Sequence, residues 1–275
     1  MSKLVSIIIP CYNDGDYIEQ AVQSILDQSY TNKEIIIIDD GSNHKTKAVL
    51  KKLTQKIDLL ITIENKGPSV ARNRGVTEAK GEFILTLDAD DFFEPTFIQK
   101  AVNILNSSPK VGLVTCHAHL FDENANQGEI ISRGGEAKDL LFRNGALASS
   151  LFRKKSWRDV QGYDEKMLNG YEDWDFNISI VKAGWSIYVI EEYLFHYRLK
   201  EKSRNSTANF SHKYDLIAYI YIKHKDIFTN NYEENIRSIF LRMEQLEKEK
   251  LKLKNTFTYK FGDAALRPFK FIFKK

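Results

Sequence analysis

The chain has 275 residues, 43% of them apolar and 12% aromatic, with a formal net charge of +3. That length suits one large α/β domain with an appendage, or two small domains, and the apolar content excludes a disordered chain. The small net charge gives no case for a nucleic-acid partner, and the two cysteines, Cys11 and Cys116, exclude a disulfide framework and suit a reducing cytosol.

Leu4–Ile9 is a β-branched run ending at Pro10, as a strand buried on both faces reads. It is too short for a signal peptide, and no small-residue cleavage site follows. Gly15–Gln28 predicts a helix with Ile18, Val22 and Ile25 on one face, followed by a strand at Glu34–Ile38. A helix over Thr46–Gln55, a strand over Leu59–Ile63 and a helix over Pro68–Ala79 come next, the last with Pro in its first turn. Phe83–Leu87 reads as a strand and Pro95–Leu105 as a helix. Strands alternating with helices imply right-handed βαβ crossovers and a mainly parallel sheet, so the fold class is α/β.

Beyond this point the pattern is less regular. Val111–Cys116 and Ser186–Ile190 read as strands, Asp122–Gly135 as a loop or hairpin, and Asp173–Ala183 as a helix stopped by Gly184. After about Ser211 the character changes to helical patterns at Tyr214–His224 and Glu233–Lys254, giving a catalytic domain over 1–210 and a helical extension over 211–275. The apolar stripe of Ile236, Ile239, Phe240, Met243, Leu246 and Leu253 favours packing on the main domain over a coiled-coil homodimer seam, which Lys250 interrupts. No stretch approaches the roughly 18 apolar residues of a spanning helix, so a cytoplasmic protein is expected.

Ligands of open α/β sheets bind beyond the carboxyl ends of the strands, and three polar clusters lie there. Cys11-Tyr12-Asn13-Asp14 follows the first strand, Asp39-Asp40-Gly41-Ser42 the second and Asp88-Ala89-Asp90-Asp91 the fourth. Asp88 and Asp90 point the same way on an extended backbone, and such paired carboxylates suit Mg²⁺ or Mn²⁺ with substrate phosphates; the plainer alternative is an acidic turn. Asp39 and Asp40 suit a base N–H or ribose hydroxyls, or a simple helix-entry turn. In Tyr171-Glu172-Asp173-Trp174-Asp175 the acids open a helix: they either complement its dipole or include a general base. Arg72 and Arg74 read as solvated helix arginines or diphosphate ligands; His196 reads as a structural histidine or a metal ligand, and His117 and His119 are given no role.

Taken in order, Ser6–Asn13, Ile38–Ser42, Asn65–Gly75, Leu87–Asp91, Gly162–Glu165 and Tyr171–Asp175 resemble glycosyltransferase family 2 over roughly the first 200 residues. The resemblance implies a GT-A fold, Rossmann-like, and an inverting transfer from a nucleotide sugar, with UDP the first guess, to a saccharide or lipid-linked saccharide acceptor in cell-surface polysaccharide synthesis. It places Pro10, Tyr12, Asn13, Asp39, Asp40 and Arg72 around the nucleotide, a divalent metal on Asp88 and Asp90, the catalytic base at Asp173, and Glu172 and Trp174 beside the acceptor. Many relatives carry Tyr-Arg-x-His-x-x-Ser; here Lys200 stands in the His place, which leaves a cation or metal ligand from this region to Lys200 or His196. Competing readings are a silent nucleotide-sugar-binding scaffold and a nucleotidyltransferase or phosphohydrolase. The tail from Asn255 mixes Phe and Tyr with Lys and Arg, which suits an anionic membrane surface or a segment docked on the domain or on a second copy.

Overall fold

The computed structural model describes residues 2–122, 126–200 and 212–266. Alternating elements run β1 (Val5–Cys11), α1 (Ile18–Leu26), β2 (Lys33–Asp40), α2 (His44–Leu53), β3 (Leu59–Ile63), α3 (Pro68–Glu78), β4 (Phe83–Thr86), β5 (Phe92–Phe93) and α4 (Phe97–Ser107). There follow β6 (Val111–Phe121), β7 (Asn126–Ile130), α5 (Ala137–Leu140), β8 (Leu151–Arg153), α6 (Lys154–Asp159), α7 (Glu172–Lys182) and β9 (Ser186–Arg198). The sheet order is β3-β2-β1-β4-β8-β6-β9-β5, with β7 paired to β6 as a hairpin. β3, β2, β1 and β4 are parallel, as are β6 and β9, while β8 and β5 run antiparallel to their neighbours. This is the expected mixed α/β architecture.

β1 lies between β2 and β4, so both its faces are covered, which is why its sequence is continuously apolar. Val5, Ile7 and Ile9 face one core with residues of α1 and α4; Ile8 faces another with Ile36, Ile38, Val76 and Phe176. Each such isoleucine removed from water contributes roughly 1.5–3 kcal/mol. α3 approaches the sheet at Gly75, where a Cβ would stand 2.3 Å from Ile8 Cγ2, so only glycine fits. α2 begins two residues earlier than its pattern suggests because Asn43 Oδ1 accepts the Thr46 N–H at 2.9 Å, a cap contributing about 1 kcal/mol.

Two strands are much longer than their apolar runs. β6 continues to Phe121 because it pairs with both β7 and β9, and β9 continues through the charged Glu191 and Glu192 to Arg198. His196 therefore lies inside β9, opposite Phe92 of β5, and not in a loop after it.

The chain divides into two compact units, one to His224 and one from Lys225. In the first, α8 (Lys213–Lys223) is held by its Tyr219 hydroxyl and Lys223 ammonium, which donate to Asp164 at 2.9 and 2.7 Å. Lys223 also donates to Asp175, and buried His224 pairs with the other Asp175 oxygen at 2.9 Å. The second unit holds α9 (Lys225–Asn230), α10 (Tyr232–Asn255) and α11 (Phe257–Leu266), the last over residues with no helical expectation. In it Phe240, Leu241, Met243, Leu246, Leu251, Leu253, Phe257 and Phe261 are exposed. The tail residues Arg267, Phe269, Lys270, Phe271, Phe273, Lys274 and Lys275 lie outside the described residues. No described helix is long and apolar enough to cross a membrane.

Candidate active site

The carboxyl ends of β1, β2 and β4 converge on a cavity of about 660 Å³ lined by Pro10, Tyr12, Asn13, Asp14, Asp40, Arg72, Asp88, Asp90, Asp91 and Lys200, among others. Its wall begins at the β1–β2 junction. Asn13 takes a left-handed conformation (φ 62°), its N–H donates to Ser42 Oγ at 3.1 Å, and its Oδ1 accepts the Asn43 N–H at 2.8 Å. Asn13 thus ties two strand ends together and presents its neighbour Tyr12, 51% exposed, to the opening. Asp40 accepts the Lys66 and Gly67 N–H groups at 2.8 and 2.9 Å, fixing the turn into α3. Burial raises its pKa, against those two bonds.

Asp39 is fully buried, accepts Ser42 N–H at 2.8 Å and the Thr62 hydroxyl at 3.2 Å, and lines no part of the cavity. Its carboxylate is spent on the turn, leaving Asp40 as the acid of this pair at the cavity.

A second cavity, of about 290 Å³, is lined by Asp173, Asn144, Ser149 and Tyr197, and shares Asp88 and Asp91 with the first. Asp173, in the first turn of α7, accepts a bond from Asn144 Nδ2 at 2.7 Å, and Asn144 Oδ1 accepts from Asn177 Nδ2 at 2.8 Å. α7 is entered through Gly170 and Tyr171, both at positive φ (115° and 62°); a left-handed tyrosine costs of order 1–3 kcal/mol and sets the direction of the turn carrying Asp173.

Arg72 joins the two sides. Only 2% exposed, it donates to Asp88 Oδ1 at 2.6 Å and Glu172 Oε1 at 2.7 Å, with Tyr163 beneath its guanidinium. Burial opposes its charge, yet Asp88 and Glu172 raise its pKa well above the ordinary value. It is therefore neither a solvated helix arginine nor a free phosphate ligand, although it touches the cavity wall. Glu172 and Trp174 do not line either cavity: Glu172 is buried against Arg72, and Trp174 donates through Nε1 to the Leu140 carbonyl with its ring edge-on to Tyr171. Both hold α7 in place.

The acidic turn carries its own cations. Lys200 Nζ stands 2.7 Å from Asp14 Oδ1 and 2.5 Å from Asp90 Oδ2. The Arg198 N–H donates to Asp91 Oδ1, and its Nε to the Asp90 carbonyl, each at 2.8 Å. Burial raises the Asp91 pKa well above the carboxylate range, helped by the Asp90 and Asp88 charges and opposed by Arg198 and Lys200; Asp14 is raised for similar reasons. Burial also opposes the Lys200 ammonium, but Asp90 and Asp14 raise its pKa. His196 Nε2 lies 2.7 Å from Glu94 Oε1, its ring stacks on Phe92 at 4.3 Å, and it lines neither cavity.

No group of three or more His, Cys, Asp or Glu among the described residues forms a ready-made metal site. Asp88 and Asp90 nevertheless fit a hard divalent cation. They are oxygen donors on one cavity wall, beside Asp14 and Asp91, the donor chemistry such an ion takes. Cys11 and Cys116 are buried free thiols pushed up to about 12, which excludes a nucleophilic role near neutral pH. Sequence reasoning missed Asn144, which reads as an ordinary loop residue, and the pairing of Lys200 with Asp14 and Asp90.

The chain is 28% identical over 243 residues to the uncharacterized glycosyltransferase MJ1057 of Methanocaldococcus jannaschii, covering 83% of this chain and 82% of that protein. It is 29% identical over 212 residues to the putative teichuronic acid biosynthesis glycosyltransferase TuaG of Bacillus subtilis, covering 74% and 82%. Its fold matches S. aureus TarS 1-349 in complex with UDP-GlcNAc with a TM-score of 0.64 and 21% identity, over 78% of this chain and 66% of that one. Across the TarS structures the chain spans between 36% and 66% of the matched protein. The sequence model of Glycosyl transferase family 2 matches residues 6–153, more than half of the chain, so the protein belongs to glycosyltransferase family 2 and is a transferase of that class.

Proposed function

We propose that this enzyme transfers a sugar, with inversion, from a nucleoside diphosphate sugar to an acceptor hydroxyl in cell-surface polysaccharide synthesis. The observation that carries the reading is that Asp88 lines both cavities, so a donor in the larger one ends where Asp173 begins. Tyr12 offers a ring face to a base, and Asp40, with its turn already bonded, offers a fixed wall for the nucleoside. Asp88 and Asp90 would hold Mn²⁺ or Mg²⁺, whose charge would offset that developing on the leaving diphosphate. Asp173, oriented by Asn144, takes the acceptor proton as the oxygen attacks the anomeric carbon. UDP is the first nucleotide to test, since TarS was solved with UDP-GlcNAc; TuaG is named for teichuronic acid biosynthesis.

The test is incubation of the full chain with UDP-sugars, Mn²⁺ and oligosaccharide or lipid-linked acceptors. Release of free UDP with a glycosylated acceptor supports the reading. Pyrophosphate or phosphate release would favour a nucleotidyltransferase or hydrolase, and binding without turnover a silent scaffold.

We also infer that the C-terminal unit docks on an anionic lipid surface, since α10 and α11 expose Phe240, Met243, Phe257 and Phe261 among many lysines. Co-sedimentation with phosphatidylglycerol vesicles tests it: loss of binding in a chain ending at Lys254 supports the tail's part, and equal binding rejects it.

A further inference from the structure

Lys200 lies beyond the family match, which ends at residue 153. It stands just past the end of β9, whose last residue, Arg198, is fastened to the acidic turn at two points and to α1 at a third. Arg198 donates its backbone N–H to Asp91, its Nε to the Asp90 carbonyl and its Nη2 to Gln20 Oε1. The Arg198 guanidinium also lies 4.6 Å from the Tyr17 ring centroid and 4.4 Å from that of Phe121. So anchored, the next turn of chain delivers Lys200 Nζ between Asp14 and Asp90, 5.2 Å from the Tyr17 ring. The lysine side chain is 23% exposed and its two carboxylates 23% and 18%, so the contact is largely shielded from water.

We propose that Lys200 is a tethered counter-cation of the donor cavity: it competes with a divalent metal for Asp90, so that metal binds with the diphosphate rather than before it. This inference rests on the nucleotide-sugar reading. Asp14, Asp88, Asp90 and Asp91 crowd one wall, and like charges so placed require a cation. Asp88 is served by Arg72, and Asp90 by Lys200. A metal seeking both Asp88 and Asp90 must take Asp90 from an ammonium 2.5 Å away. A lysine is a compact charge on a flexible stem, so once Asp90 turns to a metal the ammonium can swing to the incoming phosphates without moving the backbone.

Mn²⁺ binding to the full chain, read from the EPR signal of free Mn²⁺ with no nucleotide present, tests the inference apart from catalysis. Lys200→Met is expected to bind Mn²⁺ roughly tenfold more tightly than the parent, because it leaves Asp90 without its partner. Lys200→Arg, which keeps the charge, is expected to stay within about threefold of the parent. Adding Asp90→Asn to Lys200→Met should remove the gain. Equal or weaker Mn²⁺ binding by Lys200→Met overturns the proposal, as does a gain that survives Asp90→Asn. A parallel calorimetric titration with UDP and Mn²⁺ separates the two readings: failure of parent and variant alike to bind UDP strikes the nucleotide assignment, while the Mn²⁺ comparison still decides the lysine.

Discussion

The two cavities that meet at Asp88 are built in different ways. The larger is made by the ends of parallel strands, where backbone turns are bonded by Asp40, Asn13 and Ser42 and most wall residues are close in sequence to a strand. The smaller is made where the sheet turns antiparallel, from a loop carrying Asn144, the β8 approach at Ser149 and the strained entry to α7. One side is a rim with side chains already committed; the other adds to the shared Asp88 and Asp91 one carboxylate of its own, Asp173, held by an amide that is itself held by Asn177. Under the proposed function the first would take the nucleotide and the second the acceptor.

The largest effect expected from breaking this division is on rate. Asp173→Asn should lower kcat by about 10²–10⁴-fold while UDP affinity, measured by calorimetry, stays unchanged. An equal loss of UDP affinity would mean the two cavities are not functionally separate.

The next effect is on stability. Arg72→Met leaves Asp88 and buried Glu172 without their shared cation and should cost about 3–5 kcal/mol in urea unfolding. Little change would show that the guanidinium does not join the two sides.

On the rim, Asp40→Asn replaces one of two acceptor oxygens that hold the Lys66 and Gly67 N–H groups. UDP affinity should fall by roughly tenfold with kcat on saturating donor nearly kept, because the variant distorts a wall rather than the reacting centre. A fall in kcat instead would place Asp40 nearer the chemistry.

The smallest effect concerns how α7 is held from behind. Asp164 and Asp175 raise the Lys223 pKa above its ordinary value of 10.5, although burial opposes it. The folded state therefore holds that proton more tightly than the unfolded chain, so the pair's stabilisation is full below 10.5 and is lost as pH rises through the folded pKa. Lys223→Met should lower Tm near neutral pH and flatten its decline above pH 10.5, read by differential scanning fluorimetry. An unaltered alkaline profile would assign the decline to other groups.

The rim was legible in the sequence because its signals are local. β-branched runs ending in Asn-Asp, Asp-Asp-Gly-Ser and Asp-Ala-Asp-Asp mark strand ends, and the strand-end rule then says where a ligand sits. What stayed hidden depends on long-range pairing. Asn144 gains meaning only from Asp173, and Glu172 is an anchor only because Arg72, 100 residues earlier, is buried beside it. The apolar run of β9 ends early because Glu191 and Glu192 interrupt it on a part of the strand that faces solvent, while the strand itself continues through His196. The same holds for α8, which reads as part of a helical extension, while its Tyr219, Lys223 and the following His224 bond to Asp164 and Asp175.

Arg72 has one guanidinium and two creditors. Asp88 and Glu172 lie far apart along the chain yet divide the same positive charge, so neutralising either hands the other a larger share. Replacements at the two positions should therefore fail to add in a double-mutant cycle, and a lineage that alters one is pressed to alter its counterpart.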